Sequence, residues 1–409
     1  MYLGKLPIEE VAQDGKLAEV GKFYQTDAMA TLELDERTVL DRGLERLSEL
    51  LGSGFEIGPL RAGMSGSAAP DAVYTVRAKS PGASYAQVVI EAKASLTPAA
   101  AKEILLPQIR LLSQLYGDAA VLVIAPWLSP RTREILSALH ISYLDLTGNI
   151  DFRLPTGVLI KTEGAQHDPA PSEPKRRSRG LAGAAAGVVT RLLVDYSPPY
   201  RQKDLATVGR VSPGYISRVL RTLDDEALIT REGPYITDVS WADLLRARAA
   251  NYDLMKANHV VPMVARKGPE ATYRSLIAQG TEADIVITGT YAAREVAPLT
   301  VGGALMIYVR PGLGTIDQLT DELSLMPAVG GGANVVLLKP PNRNPFDRCR
   351  SFGATQHVAM SHLAIDCLSG PGRMPAEGEA VISHMAETEE ADRWHKRPGE
   401  LAREAAALS

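Results

Sequence analysis

The amino-acid sequence predicts an α/β protein built from several domains, and three observations support this fold class. The chain has 409 residues, and at roughly 100–200 residues per domain this length fits two to four domains. Segments with apolar residues at helical spacing alternate with short apolar runs that are typical of buried strands. A segment rich in proline, serine and charge, residues 164–181, interrupts this alternation and divides the chain.

The composition excludes several classes of protein. Hydrophobic residues make up 45% of the chain and charged residues 22%, a globular balance that excludes a disordered or collagen-like protein. No run approaches ~18 uninterrupted apolar residues, and the first residues carry acids where an export signal needs an apolar core. The two cysteines, Cys349 and Cys367, fit neither a disulfide framework nor a zinc site. We therefore expect a soluble, cytoplasmic protein.

The first predicted domain covers residues 1–163 and ends at the linker. Its elements are predicted in the order helix, three strands, helix, strand, helix, strand and hairpin, over residues 36–52, 55–63, 71–78, 86–94, 98–116, 118–126, 131–140, 141–146 and 149–163. The helix in 98–116 is expected to face the sheet with Ile104, Leu105, Ile109, Leu111 and Leu112. This order predicts a mixed sheet flanked by helices.

Three side chains of this domain form a candidate catalytic set. Asp71 opens the second strand, and Glu91 and Lys93 close the third. Residues two apart on a strand share a face, so Glu91 and Lys93 project together, and Asp71 on the adjacent strand completes a carboxylate pair. Asp71 and Glu91 are candidate Mg²⁺ ligands, and Lys93 is placed to orient an attacking water.

This set resembles the PD-(D/E)xK signature of nucleases, and the element order over residues 36–162 resembles their restriction-endonuclease-like fold. The resemblance implies a Mg²⁺-dependent DNA nuclease, and Mg²⁺ is the only cofactor that any interpretation requires. The surrounding segments supply few cations for a phosphate backbone, Lys79 in the intervening turn and Lys102 and Arg110 in the next helix. We therefore expect a structural platform in preference to an active enzyme.

The second predicted domain, residues 182–255, has the pattern of a winged helix-turn-helix. A helix over 185–196 is broken by Pro198 and Pro199, and a short helix begins at Gln202. Ser212 and Pro213 are a preferred N-cap and first helical residue. The helix that they open turns Ile216, Val219, Leu220 and Leu223 inward, and a hairpin with its turn at Glu232 and Gly233 follows as the wing.

The outward face of that helix carries the candidate DNA-binding residues. Arginine, serine and threonine side chains bind phosphates or base edges in the major groove, and a basic linker adds sequence-independent phosphate contacts. The candidates are Ser212, Tyr215, Ser217, Arg218, Arg221 and Thr222, with Lys203, Arg231 and the linker residues Lys175, Arg176, Arg177 and Arg179. The run YISRVLRTLDDEALITRE is similar to the winged helices of MarR-like bacterial regulators. Two separate alternatives remain: the winged helix binds a protein in place of DNA, and the linker is a plain solvated hinge.

The third predicted domain covers residues 256–409. Near its start it has a strand ending at Gly289 and Thr290, a helix with Ala292 and Ala293, and a second strand over 304–309. This opening resembles the nucleotidyltransferase fold. Active members need paired carboxylates on the second strand, which has none here, so we do not expect a triphosphate enzyme. The spacing of the cysteines and histidines fits no zinc pattern.

The segments LHISYLDLTGNIDFRL (139–154), GTYAAREVAPL and HLAIDCLSGPGR resemble the AbiEi antitoxin group of bacteria. That resemblance implies a transcriptional regulator of a defence or toxin–antitoxin system, although the winged helix is central here and N-terminal in the best-known members. We expect a sequence-specific regulator that binds double-stranded DNA as a homodimer on repeated half-sites and lies on the nucleoid when bound. The alternatives are a defence nuclease using Asp71, Glu91 and Lys93, and a module that binds a toxin protein.

Overall fold

The structure is a computed structural model that describes residues 34–60, 70–166, 169, 181–281, 284–299, 302–310, 315–329, 331–388 and 395–408. The chain forms two compact units. The first consists of Met1–Leu96 and Leu105–Pro174, and the second of Thr97–Ile104 and Lys175–Ser409. In the described part of the chain, no helix combines the length and the apolar character needed to cross a membrane.

The first unit contains a seven-stranded mixed sheet in the order β1-β2-β3-β4-β5-β6-β7. The strands are β1 (Phe55–Pro59), β2 (Ala72–Ala78), β3 (Tyr85–Ala92), β4 (Ala120–Ala125), β5 (Ser142–Asp145), β6 (Ile150–Arg153) and β7 (Leu159–Thr162). The central strands β3, β4 and β5 pair in parallel, and the strands on both sides pair antiparallel. The predicted order of elements is confirmed for this unit.

Helix α1 (Glu36–Leu51) packs on the centre of this sheet. The side chain of Asp35 caps it by accepting a hydrogen bond from the Thr38 N–H at 2.8 Å. Gly43 lies so close to β4 that an added Cβ would be 2.5 Å from the Ile124 side chain. A larger residue at position 43 would therefore push the helix off the sheet.

The helix predicted over 98–116 is divided in the structure. An α-helical turn (Pro98–Ala100) and a π-helical turn (Ala101–Leu105) precede α2 (Leu106–Tyr116). The predicted inward face is wrong at Ile104 and Leu111, whose exposed fractions are 66% and 42%, and right at Leu105, Ile109 and Leu112. A π-helical turn contains one residue more than an α-helical turn. The buried face of this segment therefore differs from the one that a regular spacing of 3.6 residues predicts.

Helix α3 (Pro130–Ala138) precedes β5. The turn between β5 and β6 is built around the buried carboxylate of Asp145. Asp145 accepts hydrogen bonds from Thr147 N and Oγ1 at 2.9 and 2.7 Å and from Asn149 N and Nδ2 at 3.0 and 2.9 Å. It also accepts one from Leu128 N at 3.0 Å. These contacts give the Asp-Leu-Thr-Gly-Asn segment a structural role in holding the turn.

The second unit opens with the winged-helix elements. They are α4 (Ala184–Asp195), β8 (Tyr200–Arg201), α5 (Gln202–Gly209), α6 (Pro213–Asp225), β9 (Ile229–Glu232), β10 (Tyr235–Val239) and α7 (Trp241–Ala249). The three strands form a sheet in the order β8-β10-β9, with both pairs antiparallel. The order of a helix-turn-helix followed by a hairpin is the one predicted from the sequence.

A second seven-stranded sheet, in the order β14-β11-β15-β13-β12-β17-β16, completes this unit. Its strands are β11 (His259–Ala265), β12 (Ile285–Thr288), β13 (Leu305–Val309), β14 (Leu325–Pro327), β15 (Val335–Lys339), β16 (Arg350–Phe352) and β17 (Thr355–His357). The remaining helices are α8 (Leu254–Ala257), α9 (Pro269–Gln279), α10 (Gly289–Ala293), α11 (Thr315–Glu322), α12 (Met360–Leu368), α13 (Met374–Thr388) and α14 (Glu400–Leu408). Here β13 and β15 are parallel, whereas β12 and β13 are antiparallel.

One hydrophobic core joins the winged helix to this second sheet. Buried residues from α4 and α6 belong to the same cluster as buried residues of β12, β13 and α12. The predicted boundary near residue 256 therefore falls inside one compact unit. The predicted mixed α/β class is confirmed, and the assignments to the three named folds and the domain boundaries stay predictions.

Candidate functional site

The candidate DNA-binding surface is centred on helix α6. The Ser212 side chain accepts a hydrogen bond from the Tyr215 N–H at 3.4 Å, and Pro213 follows it as the first helical residue. Arg210, at φ +50°, makes the turn from α5 to α6. The four apolar residues predicted to face inward, Ile216, Val219, Leu220 and Leu223, are all buried. The predicted orientation of this helix is therefore confirmed.

Arg218 and Arg221 lie exposed on the opposite face of α6, with Ser212 exposed at its start. In the part of the chain that the structure describes, neither arginine forms an ion pair with a carboxylate. Their guanidinium groups are thus available to an external anion. A bidentate arginine is the side chain that most often reads guanine in the major groove.

Three other predicted residues of this face already have partners within the protein. The Gln202 amide donates to the Ser217 hydroxyl at 2.6 Å, and the Thr222 hydroxyl donates to the Arg218 carbonyl at 3.1 Å. Tyr215 is half-buried, with the Arg218 guanidinium carbon 5.6 Å from the centre of its ring. These contacts orient Arg218 and the helix surface around it.

The wing adds exposed cations beside this helix. Arg231 lies on β9, close to the tight turn at Gly233, and Lys203 is exposed on α5. Arg201 on β8, which sequence reasoning missed, donates from Nε to the Tyr235 hydroxyl at 3.0 Å and lies over that ring. The signal that would have found Arg201 is its position two residues before Lys203, where the chain enters the helix-turn-helix.

The predicted catalytic side chains do lie together on the first sheet. Lys93 Nζ is 3.1 Å from Glu91 Oε2 and 3.8 Å from Asp71 Oδ2. The same Asp71 oxygen accepts a hydrogen bond from the Ala92 N–H at 2.8 Å. Because β2 and β3 pair antiparallel with Ala72 opposite Ile90, the start of one strand meets the end of the other. The predicted juxtaposition of Asp71, Glu91 and Lys93 is present in the fold.

Gln108 of α2 joins this cluster, although its sequence position gave no signal. Its amide donates to Glu91 Oε2 at 2.8 Å, beside the ammonium of Lys93. The other oxygen, Glu91 Oε1, is buried and has no hydrogen-bond partner among the described residues. Burial raises the pKa of Glu91, and the hydrogen bond from Lys93 acts in the opposite direction. A buried carboxylate oxygen without a partner, next to Asp71, fits a site for Mg²⁺.

The second sheet carries no paired carboxylates at the position that the nucleotidyltransferase likeness would require. All five residues of β13 are buried, and none is acidic. Thr290, at the start of α10, donates a hydrogen bond to Glu377 at 2.7 Å. Cys367 is buried and Cys349 half-buried, and the described part of the chain contains no group of three or more histidine, cysteine or acidic residues arranged for a metal ion.

A buried carboxylate, Asp366 on α12, lies beneath this sheet. Its oxygens accept hydrogen bonds from the Thr288 hydroxyl at 2.7 Å and the Tyr308 hydroxyl at 3.2 Å. Burial raises the pKa of Asp366 to about 7, while these two hydrogen bonds lower it. Asp366 is therefore largely protonated below neutral pH in the folded protein.

This raised pKa predicts a pH-dependent stability. Between about pH 4 and pH 7 the folded protein keeps the Asp366 proton, whereas the unfolded chain has lost it. The contribution of Asp366 to the free energy of unfolding is therefore full below pH 4 and is lost as the pH rises through 7. We expect the free energy of unfolding, relative to that of Asp366→Asn, to fall by at least about 1 kcal/mol between pH 5 and pH 7. Urea unfolding of both proteins across this range measures the difference, and parallel pH profiles would contradict the prediction.

The linker cations Lys175, Arg176, Arg177 and Arg179 lie outside the described residues.

Comparison of the chain with models of protein families, with curated proteins and with solved structures finds no match.

Proposed function

We propose that this protein is a sequence-specific regulator that binds double-stranded DNA through helix α6. The observation that carries the proposal is the pair of exposed arginines, Arg218 and Arg221, which have no acidic partner in the described part of the chain. The other face of their helix is fixed in a hydrophobic core. A recognition helix needs both features, because a rigid support orients the side chains that must reach base edges.

The neighbouring cations fit contacts to the DNA backbone. Lys203 and Arg201 flank the start of α5, and Arg231 lies on the wing. Phosphate contacts fix the register of a protein on the duplex, and base contacts specify the sequence. In this proposal Arg218 and Arg221 read bases, whereas Lys203, Arg201, Arg231 and the linker cations hold the backbone. Two copies of the chain would bind two half-sites about one helical turn apart.

We infer a role in a defence or toxin–antitoxin system from the likeness of three segments to the AbiEi antitoxin group. In that role the protein would control its own promoter in the cytoplasm, and a toxin protein would be its second partner. The test is selection of a preferred site from random duplexes, followed by binding measurements on that site and on the native promoter. Equal affinity for selected and scrambled duplexes would contradict the proposal.

A second candidate function is a Mg²⁺-dependent DNA nuclease at the Asp71–Glu91–Lys93 cluster. The observation that favours it is Glu91 Oε1, which is buried without a hydrogen-bond partner among the described residues, in a carboxylate whose other oxygen lies 3.1 Å from Lys93 Nζ. Mg²⁺ held by Asp71 and Glu91 would supply charge stabilisation at the scissile phosphate. Lys93 would hold the attacking water, and Gln108 would hold the Glu91 side chain in place.

We nevertheless expect this cluster to be dispensable for DNA binding. Glu91→Ala and Lys93→Ala should each leave affinity for the selected site within a few-fold of the parent, because neither residue lies in the winged helix. The parent should release no nicked or linear plasmid with Mg²⁺ or Mn²⁺, because Lys93 is paired with both carboxylates. Gel shift and plasmid cleavage check these expectations, with Lys161→Ala as a control at an exposed lysine of the same sheet. Cleavage by the parent that disappears in Lys93→Ala would make the nuclease the leading function.

A further inference from the structure

A cavity whose wall is mainly apolar, with a few polar side chains, lies inside the second unit, where helices α4 and α7 of the winged helix face residues 340–345 and helix α12. Its volume is about 120 Å³, several times the space that one ordered water needs. The residues that matter for its chemistry are Arg191, Arg248, Asn258, Asn344 and His362. Among the described residues that line it, two are arginines and none is acidic, which favours a ligand with negative charge.

Arg248 brings a positive charge into this wall, and its guanidinium carbon lies 4.8 Å from the centre of the Tyr252 ring. Its side chain is only 5% exposed, and it forms no ion pair with a carboxylate among the described residues. Its Nη1 donates to the carbonyl oxygens of Leu181 and Ala182, the latter at 3.0 Å. Its Nε is buried and has no acceptor in the described chain. A guanidinium in this state is costly unless an anion accompanies it.

Arg191 presents a second donor of the same kind. It is 2% exposed, its Nη2 donates to the Asp347 carbonyl at 2.7 Å, and its Nη1 donates to the Asn344 carbonyl. Asp195 is its nearest acid, with Oδ2 3.6 Å from Nη2. Here too Nε is buried without an acceptor in the described residues. Backbone carbonyls thus hold the far ends of both guanidinium groups, and both Nε–H groups are buried without an acceptor among the described residues.

His362 supplies a neutral group to the same wall. Both of its ring nitrogens are buried without a hydrogen bond in the described part of the protein, and Nε2 is 3.6 Å from Asp366 Oδ2. Burial, followed by the nearby charges of Arg191 and Arg248, lowers the pKa of His362 well below its ordinary value. A neutral imidazole can donate one hydrogen bond to an anion and needs no counter-charge.

We propose that this cavity is a binding site for a small anion, a carboxylate or a phosphate, held by the Nε–H groups of Arg191 and Arg248 and by His362. Such an anion would satisfy the three unpartnered groups at once and neutralise the charge of Arg248. It would touch the helix before the helix-turn-helix and the helix after the wing. If the proposed DNA binding holds, the anion is placed to act as an effector of it.

The experiment is isothermal titration calorimetry of the full chain without DNA, so that it does not depend on the proposed function. Inorganic phosphate and acetate are the two probes, and chloride keeps the ionic strength constant. We expect one probe to bind with one site per chain, and the probe that binds identifies the class of anion. Neither probe binding with such a stoichiometry would mean that the cavity holds water alone, and would overturn the proposal.

Three variants locate the site. Arg248→Gln removes the unpaired charge and should weaken binding about tenfold or more. Ala257→Leu fills the cavity from α8, keeps both arginines and should abolish binding in a protein whose circular dichroism matches the parent. Arg246→Gln is the matched control, since that arginine lies on the same helix but is exposed and paired with Glu379. Parent-like binding by a folded Ala257→Leu protein would place the anion elsewhere.

Discussion

Replacing Asp195 with alanine is expected to lower the free energy of unfolding of the second unit by about 3–5 kcal/mol. Asp195 closes α4, and its buried carboxylate accepts hydrogen bonds from Arg348 and from the Ser361 hydroxyl. It also lies 3.6 Å from the buried Arg191 guanidinium. Removing the carboxylate leaves the buried Arg191 guanidinium and the partly buried Arg348 guanidinium without their acid.

Equilibrium unfolding in urea, followed by circular dichroism, measures this effect. Asp321→Ala is the matched control, because Asp321 is an exposed acid of the same unit at the end of α11 and its loss should change stability by less than about 0.5 kcal/mol. A loss below about 1 kcal/mol in Asp195→Ala would contradict the assignment of Asp195 as the acid that ties α4 to α12 and Arg348.

The second large effect is expected on DNA affinity. Arg218→Ala and Arg221→Ala should each weaken binding to the selected site by about 1–3 kcal/mol if each arginine is bidentate to a base. The double variant should lose close to the sum, provided that the two arginines contact separate base pairs. Affinity for scrambled DNA should change much less, so the ratio of specific to non-specific binding should fall.

Fluorescence anisotropy with labelled duplexes at fixed salt gives these affinities. Arg274→Ala serves as control, since Arg274 is an exposed arginine on α9, away from the winged helix, and pairs with Glu270. Both single variants must keep the unfolding midpoint of the parent, which is expected because the two side chains are exposed. Parent-like specific affinity in the double variant would show that α6 does not read the sequence.

The sequence by itself predicted most of the local architecture, because the local signals were strong. The spacing of Ile216, Val219, Leu220 and Leu223 is enough to orient α6, and Ser212 with Pro213 is enough to start it. The alternation of elements in the first unit likewise predicted a mixed sheet on which Asp71, Glu91 and Lys93 meet. These features depend on residues close in the chain or on adjacent strands.

Contacts between distant residues were decided only by the tertiary structure. Gln108 reaches Glu91 from the next helix, and a π-helical turn leaves Ile104 exposed where regular spacing predicts burial. Asp195 meets partners more than 150 residues away, and Arg191 and Arg248 share one cavity wall. Periodicity reports which face of an element is buried, but it carries no information on which buried polar groups of different elements meet. That choice is made by packing, because packing decides which polar groups a buried charge can reach, and a buried charge without a partner costs free energy.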